Sequence, residues 1–444
     1  MSTNLKPAVL YRTSNRRYPT AVSASGMRIT DADGKQYLDM SGGAAVSCLG
    51  HAHPAVVAAI REQLETLAFA HTSFFTNEPQ EQLATALAQR FEQPDARVYF
   101  LSGGSEANET ALKVAWQFWA VRGKPNKKII ISREHSYHGN TFGVLSISGN
   151  AVRRRASAAP LIDWPRIPQC YPYREMQAGE DIDDYSKRAA GYLEEAIVAA
   201  GPDNVAAFIC EPVVGSSLGV VPATPGYLQQ VREICDRYDV LLIADEIMCG
   251  SGRTGRFFAH EHDGVSPDIV TLAKGVGGGY QPLAATIIGP EVAAEMTSSG
   301  FAHGHTYIGH AAACAAGLAV QTVMNEHHLI ERSRSMGERL LSLLQENFAE
   351  HPHVGEIRGR GLFAAIELVQ DRGTRAGFEG RRGLPDELRQ AAMGQGLIVY
   401  PGGITIDQRT VPHVMLAPPM ITGERHLLEC IDKLKATINN TLYS

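Results

Sequence analysis

The stretch DVLLIADEI, residues 239–247, joins a run of apolar residues to two adjacent carboxylates, Asp245 and Glu246. The apolar run predicts a strand buried on both faces, which is typical of parallel sheets. In open α/β sheets ligands bind beyond the carboxyl ends of the strands, so these acids lie where a site is expected. The next strand-like run leads to Lys274, 29 residues after Asp245, in TLAKGVGGG. The two runs predict an α/β fold with a carboxylate and a lysine at one edge of its sheet.

Similar apolar runs occur on both sides of this stretch. They alternate with amphipathic segments such as 106–121 and 226–238, and this alternation is typical of an α/β domain with a mainly parallel sheet. We assign the sheet to a large domain that spans residues 71–330. The predicted strands are Val98–Leu101, Lys128–Ser132, Val205–Cys210, Leu241–Ala244, Asp268–Ala273 and Ala284–Ile288.

The pattern changes after His327. A long amphipathic segment leads there to a strand-like run at 362–368, which predicts a second, smaller domain. Four prolines lie within residues 160–184, and they predict an ordered loop without a regular helix.

Composition excludes several classes of function. The chain has 444 residues, of which 44% are hydrophobic and 20% charged, as in a folded globular enzyme. Its formal net charge of −6 is opposite to the basic balance of most nucleic-acid-binding proteins. No run approaches the ~20 apolar residues that cross a bilayer, and the N-terminus lacks a signal-peptide pattern, so we expect a cytoplasmic protein without membrane contact. Dispersed cysteines, and His303 and His305 without convergent acids, predict no metal site.

Lys274 and Asp245 suit the chemistry of pyridoxal 5′-phosphate (PLP). A carboxylate beside the pyridine nitrogen keeps the ring protonated, and a protonated ring accepts the electrons released when a substrate Cα proton leaves. A desolvated lysine loses its proton readily, so Lys274 is the predicted Schiff-base anchor and, once displaced, the base that moves that proton.

A phosphate site is predicted at FLSGGSE, residues 100–106, where a strand leads through two glycines into a helix. Helix N-termini bind phosphate because their first N–H groups are free. We assign the cofactor phosphate to Gly104 and Ser105, although an ordinary strand-to-helix turn would have the same sequence.

Seven motifs occur along nearly the whole chain, in the order SGGSEANETALKVA, SYHG, CEPV, LLIADEI, GRTGRF, TLAKGVGGG and HGHTYIGHAAACAAGLA. Together they resemble the motifs of class III PLP-dependent aminotransferases, which have the type I PLP-transferase fold. The resemblance implies a seven-stranded type of sheet in the large domain, and a smaller α+β domain built from both chain ends, residues 1–70 and 331–444. It also implies self-association, as a homodimer or a tetramer.

The resemblance also implies roles for single residues. Tyr137 in SYHG would stack on one face of the cofactor ring, Val213 would cover the other, and His138 would lie among the cofactor contacts. Glu211 resembles a buried acid near the cofactor oxygen, and Thr306 a threonine that reaches the phosphate in the neighbouring subunit. Taken alone, Tyr137 and His138 would be interpreted as packing residues, and Glu211 as a structural hydrogen-bond acceptor.

Four positions bear on the substrate. Relatives that use ornithine or 4-aminobutyrate with 2-oxoglutarate often carry an arginine where this chain has Met415. Arg409, in the polar loop ITIDQRTVPH, resembles in placement the mobile arginine of omega-amino acid and amine:pyruvate aminotransferases, although a solvated loop arginine is the plainer interpretation. Ala45 replaces a tryptophan of some amine transaminases and would leave a roomier pocket. Phe75 is a candidate pocket wall or a plain core residue.

These features favour transfer of an amino group from an amine or omega-amino acid to a 2-oxo acid, pyruvate preferred, by a ping-pong mechanism through pyridoxamine phosphate. One alternative is a 2-oxoglutarate-dependent enzyme of the ornithine or 4-aminobutyrate type, and another is a class III epimerase, aminomutase or decarboxylase. A nucleotide-binding oxidoreductase is disfavoured because glycines 277–279 follow a lysine and do not form GxGxxG after a first strand. A relative that only binds the cofactor is disfavoured because the lysine, acid and phosphate loop are intact.

Overall fold

The computed structural model describes residues 8–13, 16–93 and 95–443. Its strands are β1 (Ala21–Ser25), β2 (Arg28–Asp31), β3 (Gln36–Asp39), β4 (Arg97–Leu101), β5 (Ile129–Arg133), β6 (Arg166–Ile167), β7 (Val205–Cys210), β8 (Val213–Val214), β9 (Val221–Pro222), β10 (Leu241–Asp245), β11 (Ile269–Leu272), β12 (Ala284–Ile288), β13 (Val354–Gly359), β14 (Ala364–Leu368), β15 (Leu397–Ile398), β16 (Tyr400–Ile406) and β17 (Arg409–Leu416).

The helices in the same ranges are α1 (Gly42–Ala45), α2 (Pro54–Thr66), α3 (Glu78–Arg90), α4 (Gly104–Val121), α5 (Phe142–Ile147), α6 (Ala151–Arg155), α7 (Pro172–Glu175), α8 (Ile182–Ala200), α9 (Tyr227–Arg237), α10 (Pro290–Ser299), α11 (Ala311–Glu326), α12 (Leu329–Phe348), α13 (Leu384–Gly394) and α14 (Glu424–Leu442). Short 3₁₀ turns occupy Pro202–Asn204, Ala259–Asp263 and Lys274–Val276. Among the helices of the described ranges, none has both the length and the apolar character that crossing a membrane requires.

The central sheet consists of almost wholly apolar strands. Its order is β4-β12-β11-β10-β7-β5-β6, and within it β12 runs opposite to the other six strands. Neighbouring residues of a strand point to opposite faces of the sheet. Because these residues are apolar on both faces, helices pack against both. Leu242 of β10 packs with α8 and α9, whereas Ile243 packs with α4 and α10. The predicted α/β fold with a mainly parallel sheet is therefore confirmed.

The register of β10 and β11 determines where the site lies. Asp245 is the last residue of β10 and pairs with Thr271 in the parallel strand β11. β11 ends at Leu272, and a 3₁₀ turn begins at Lys274. The carboxyl ends of the two strands therefore place the acid and the lysine at the same edge of the sheet.

Two smaller sheets are formed by the chain ends. β15 pairs in parallel with β3, through Leu38 and Asp39, and completes a sheet that contains β1 and β2. β13, β14, β17 and β16 form an antiparallel sheet. One apolar core contains Leu38 from the N-terminal region together with Leu340 and Leu397 from the C-terminal region. The division into domains of 1–70, 71–330 and 331–444 stays a prediction.

The proline-rich region contains more regular structure than the sequence predicted. β6 adds to the edge of the central sheet beside β5, and α7 begins at Pro172. A proline in the first turn of a helix loses no hydrogen bond, because the first N–H groups have no acceptor within the helix. The prediction that residues 160–184 contain no helix was wrong for this reason.

Arg409 lies in a hairpin where the sequence predicted a loop. β16 and β17 pair continuously from Tyr400 opposite Met415 to Ile406 opposite Arg409. Asp407 and Gln408 form the connecting turn with φ values of 48° and 62°. Two-residue hairpin turns favour such positive φ values and usually contain glycine or asparagine, which this turn lacks.

Candidate active site

A cavity of about 450 Å³ opens at the carboxyl edge of the central sheet. The ends of β10 and β11 and the start of α4 contribute to its walls. Val46, Met248 and Gln281, which were not predicted as site residues, also line it. The predicted site residues that line the cavity are Gly104, Ser105, Tyr137, His138, Glu211, Asp245 and Lys274.

Asp245 is buried and held from several sides. Its Oδ2 accepts a hydrogen bond from Asn108 Nδ2 at 2.7 Å and lies 2.8 Å from His138 Nδ1. Its Oδ1 accepts from the backbone N–H of Ile247 at 3.1 Å. These contacts fix the orientation of the carboxylate at the cavity wall.

Asn108 holds the Asp245 carboxylate, and sequence reasoning missed it. It is fully buried in α4, and its side chain also donates to the carbonyl oxygen of His138 at 2.7 Å. Its own Oδ1 accepts from Thr271 Oγ1 at 2.7 Å. Its only signal in the sequence is an amide among the apolar residues of a buried helix face, in SEANETALKVA.

Lys274 has a side-chain amine whose pKa is lowered by burial. Burial lowers the pKa of Lys274 from 10.5 to about 8, although the carboxylates of Asp245 and Glu211 act in the opposite direction. At neutral pH a larger fraction of this amine is therefore neutral than in an exposed lysine. The neutral form is the one that adds to an aldehyde carbon.

Glu211 is a second buried acid at the cavity. Its carboxylate accepts hydrogen bonds from the backbone N–H groups of Tyr137 at 3.1 Å and Gly215 at 3.0 Å. Burial raises the pKa of Glu211, and the neighbouring Asp245 adds to the effect. Glu211 thus binds a proton more readily than an exposed glutamate.

The start of α4 offers a place for an anion. Its first N–H groups have no acceptor within the helix and lie at the positive end of the helix dipole. A Cβ on Gly103 would meet no heavy atom within 4 Å, so this glycine faces open space. A Cβ on Gly104 would lie 2.8 Å from Ile247 Cδ1, which explains a glycine there. Ser105 Oγ accepts from the backbone N–H of Asn140 at 3.0 Å.

Five predicted site residues do not line the cavity. Ala45 and Val213 pack together in an apolar cluster that also contains Met248, a residue of the cavity wall. Thr306 is exposed and lies beside His303 and His305 in a separate depression of about 580 Å³. These three roles stay predictions.

Phe75 and Arg409 lie further out. Phe75 is 67% exposed and is therefore neither core nor cavity wall within this chain. Arg409 is half-buried, and its Nη2 lies 3.4 Å from the Glu379 carboxylate at the hairpin. A carboxylate-binding role for Arg409 would require the side chain to leave this partner.

The residues present fit PLP. The cofactor has an aldehyde, a pyridine nitrogen and a phosphate. The cavity contains a matching group for each, namely the lysine amine for the aldehyde, the buried carboxylate for the nitrogen and the helix N-terminus for the phosphate. The open space at Gly103 is next to that helix N-terminus.

Comparison with known proteins agrees with this chemistry. Residues 12–438 match the aminotransferase class-III family. An uncharacterised aminotransferase of Schizosaccharomyces pombe is 39% identical over 98% of this chain and 96% of its own length. A diaminobutyrate–2-oxoglutarate transaminase of Halomonas elongata is 35% identical over 93% of this chain and 88% of its own length. A putrescine–pyruvate aminotransferase of Pseudomonas aeruginosa is 33% identical over 99% of this chain and 94% of its own length.

Among solved structures, the omega transaminase of Pseudomonas jessenii in complex with PMP superposes with a TM-score of 0.89 and 34% identity. It covers 96% of this chain and 93% of its own. The family match extends over nearly the whole chain, and the relatives are covered almost completely. The protein therefore belongs to the class III aminotransferases and is an enzyme that uses PLP.

Proposed function

We propose that this aminotransferase transfers the amino group of an amine or omega-amino acid to a 2-oxo acid, with pyruvate as the preferred acceptor. The observation that supports it most is the pairing of Lys274, whose pKa is lowered to about 8, with the buried carboxylate of Asp245 at one cavity. The two half-reactions use this cavity in turn, which gives ping-pong kinetics.

Each cavity residue has one task in this proposal. PLP, when bound, supplies the electron sink for the bonding electrons of the substrate carbon. Asp245 holds the protonated ring nitrogen, with Asn108 and His138 fixing its orientation. Lys274 holds the cofactor and later moves a proton with its Nζ. Tyr137 lies against the ring.

Three further contacts complete the cofactor site in the proposal. Gly104 and Ser105, at the start of α4, hold the phosphate. Glu211 retains a proton near the ring oxygen, in keeping with its raised pKa. Val213 covers the second face of the ring, and it packs in one apolar cluster with Met248, a residue of the cavity wall.

The choice of donor and acceptor rests on the apolar wall of the cavity and on the relatives. Tyr137, Met248, Val46 and Leu283 give the cavity apolar wall, which suits the carbon chain of an amine. The putrescine–pyruvate relative supports a diamine or monoamine donor and pyruvate. The diaminobutyrate–2-oxoglutarate relative supports the alternative acceptor, 2-oxoglutarate.

We also propose a homodimer in which Thr306 reaches the phosphate bound by the partner. Thr306 and Phe75 are both exposed, and residues 71–73 line the same depression as Thr306, where a second copy would cover them. Sedimentation equilibrium would test this, because a dimer has twice the 48.0 kDa mass of one chain. A monomer at micromolar concentration would contradict it.

The experiment that tests the function follows the visible absorbance band of the bound cofactor. Purified holoenzyme is mixed with a panel of amines and omega-amino acids, and then with pyruvate or 2-oxoglutarate. We expect loss of the band with a donor and its recovery with the acceptor, more rapidly with pyruvate. Lys274→Ala should remove both the band and turnover.

Other results would identify a rival. Faster recovery with 2-oxoglutarate would favour the ornithine or 4-aminobutyrate type. A band that no donor removes would favour an epimerase, aminomutase or decarboxylase.

A further inference from the structure

We infer that Arg153 binds the carboxylate of the acceptor oxo acid at the rim of the cavity, an inference that rests on the proposed function. α6 carries three consecutive arginines, 153–155, and Asn150 Oδ1 accepts from the backbone N–H of Arg153 at 3.1 Å at its start. The Arg153 guanidinium carbon lies 4.7 Å from the centroid of the Tyr137 ring. Tyr137 lines the cavity that contains Lys274.

The hydrogen-bond partners of the three arginines differ. Arg154 donates to the carbonyl oxygens of Leu145 and Ser148, each at 3.3 Å, and pairs with Asp163 at 3.3 Å. The half-buried guanidinium of Arg153 has no hydrogen bond or ion pair with any residue in 8–13, 16–93 and 95–443. Arg153 therefore keeps its five N–H donors available beside the site, whereas Arg154 is part of the local structure.

The cavity needs such a group. A carboxylate that leaves water requires a charged partner, and arginine binds it through two parallel hydrogen bonds. Among the described lining residues no arginine is present, and Lys274 is committed to the cofactor. Arg409 pairs with Glu379 at the surface, and Met415 is fully buried. Arg153 is the cation stacked on a residue of the cavity wall.

The stacking also explains how one site accepts two kinds of molecule. A cation–π contact is weaker than a bidentate ion pair, so an entering carboxylate draws the guanidinium from the Tyr137 ring toward the cavity mouth. When an amine without a carboxylate enters, Arg153 remains on the ring and presents no unpaired charge to the apolar chain. Arg153 would thus set specificity for the acceptor without contributing to the donor half-reaction.

The test compares acceptors that differ in the carboxylate. Holoenzyme is first converted to its amino form with an amine, and recovery of the absorbance band is then followed with pyruvate or with propanal. For Arg153→Met we expect kcat/KM for pyruvate to fall about 10- to 100-fold, the usual effect of losing a charge-assisted pair. The constants for propanal and for the amine should change less than about twofold. Arg153→Lys should lose less, since it keeps the charge but not the paired donors.

Arg155→Met is the matched control, because Arg155 is exposed in the same short helix. It should behave as the wild type with every substrate. Equal losses for pyruvate and propanal in Arg153→Met would overturn the inference and show that Arg153 only supports Tyr137. A loss specific to pyruvate in Arg409→Met, with Arg153→Met unaffected, would assign the role to Arg409.

A binding measurement separates this inference from the proposed function. Propionate, an unreactive monocarboxylate, is titrated calorimetrically into each holoenzyme. We expect at least about tenfold weaker binding to Arg153→Met than to the wild type or Arg155→Met. If no amine converts the cofactor, the proposed function fails, while propionate binding still decides the role of Arg153. Equal binding by all three proteins would overturn it.

Discussion

At the scale of single residues, the lowered pKa of the Lys274 amine predicts a pH dependence for cofactor capture. Capture of PLP by the apoenzyme requires the neutral amine, and burial lowers the pKa of Lys274 to about 8. The capture rate should rise about tenfold per pH unit below that value and level off above it. Stopped-flow absorbance between pH 6 and 10.5 measures this profile.

Asp245→Asn is the informative variant for this profile. The carboxylate of Asp245 raises the pKa of Lys274, so its removal should move the profile to lower pH. A rate that still climbs about tenfold per unit from about pH 8 to pH 9.5, as for an exposed lysine, would show that the amine is not desolvated.

Asn108 provides a prediction about the support of Asp245. Asn108→Ala leaves Thr271 Oγ1 and the carbonyl oxygen of His138 without their partner in a buried place. We expect a loss of about 1–3 kcal/mol in unfolding free energy and weaker retention of the cofactor. Chemical unfolding and dialysis of the holoenzyme measure the two effects. Asn440→Ala, at an exposed position of α14, is the control and should change neither.

Residues differ in how far the sequence predicts their position. Asp245 and Lys274 could be placed because each follows an apolar strand, and parallel strands end at a common edge. Asn108 could not be placed, because its partners Asp245 and Thr271 are 137 and 163 residues away. Such pairings depend on the packing of α4 against the sheet, which local pattern does not encode.

At the scale of elements, α1 is a turn in which every residue has positive φ. Gly42 and Gly43 have φ values of 54° and 62°, and Ala44 and Ala45 have values of 66° and 65°. Val46, the next residue, lines the cavity. This strained turn therefore leads directly into a residue of the cavity wall.

The two glycines of α1 form a matched pair for experiment. A Cβ on Gly42 would lie 2.7 Å from the carbonyl oxygen of Ala417, whereas a Cβ on Gly43 would meet nothing within 4 Å. Gly43→Ala should cost about 1–2 kcal/mol from its backbone conformation alone, and Gly42→Ala distinctly more. Thermal unfolding of both apoenzymes gives the difference. Equal midpoints would mean that the Ala417 contact relaxes without penalty.

The length of a strand determines whether the sequence predicts it. The five-residue and six-residue strands β7, β10 and β12 were predicted within one residue because they are buried on both faces. The two-residue strands β8, β9 and β15 have no periodicity of their own and exist only through their partners. The hairpin around Arg409 was missed because its turn lacks the usual glycine.

At the scale of the whole molecule, a buried ionic cluster connects the C-terminal antiparallel sheet to the central region. Glu367 of β14 accepts from Arg358 Nη1 and from Arg174 Nε, both at 2.8 Å. It also accepts from the hydroxyl of Tyr171. Arg358 Nε in turn donates to the carbonyl oxygen of Gly219 at 2.8 Å.

Removal of the central charge should loosen this connection. Glu367→Gln leaves Arg174 without its carboxylate and leaves Arg358 with Glu356 alone. Removing one partner of a buried ion pair typically costs about 3–5 kcal/mol. Burial by itself would raise the pKa of Glu367, but Arg358 and Arg174 outweigh it and lower the pKa below 4.5. The stabilisation is therefore complete above about pH 4.5 and is lost as the pH falls through the lower folded value.

Thermal unfolding at several pH values checks this prediction. The difference between wild type and Glu367→Gln should be large at pH 7 and shrink in acid. Glu350→Gln, at an exposed position, should match the wild type throughout. A difference that does not depend on pH would indicate a packing effect without a charge effect.

The pairing of β15 with β3 has a consequence for synthesis on the ribosome. Residues 38–39 are translated early, but their partners at 397–398 emerge only near the end of the nascent chain. At about 5–20 residues per second, one edge of β3 stays open for roughly 20 to 70 seconds. Since Val46 follows this strand closely and borders the cavity, a polypeptide released prematurely before residue 397 should be inactive and prone to aggregate through that unpaired edge.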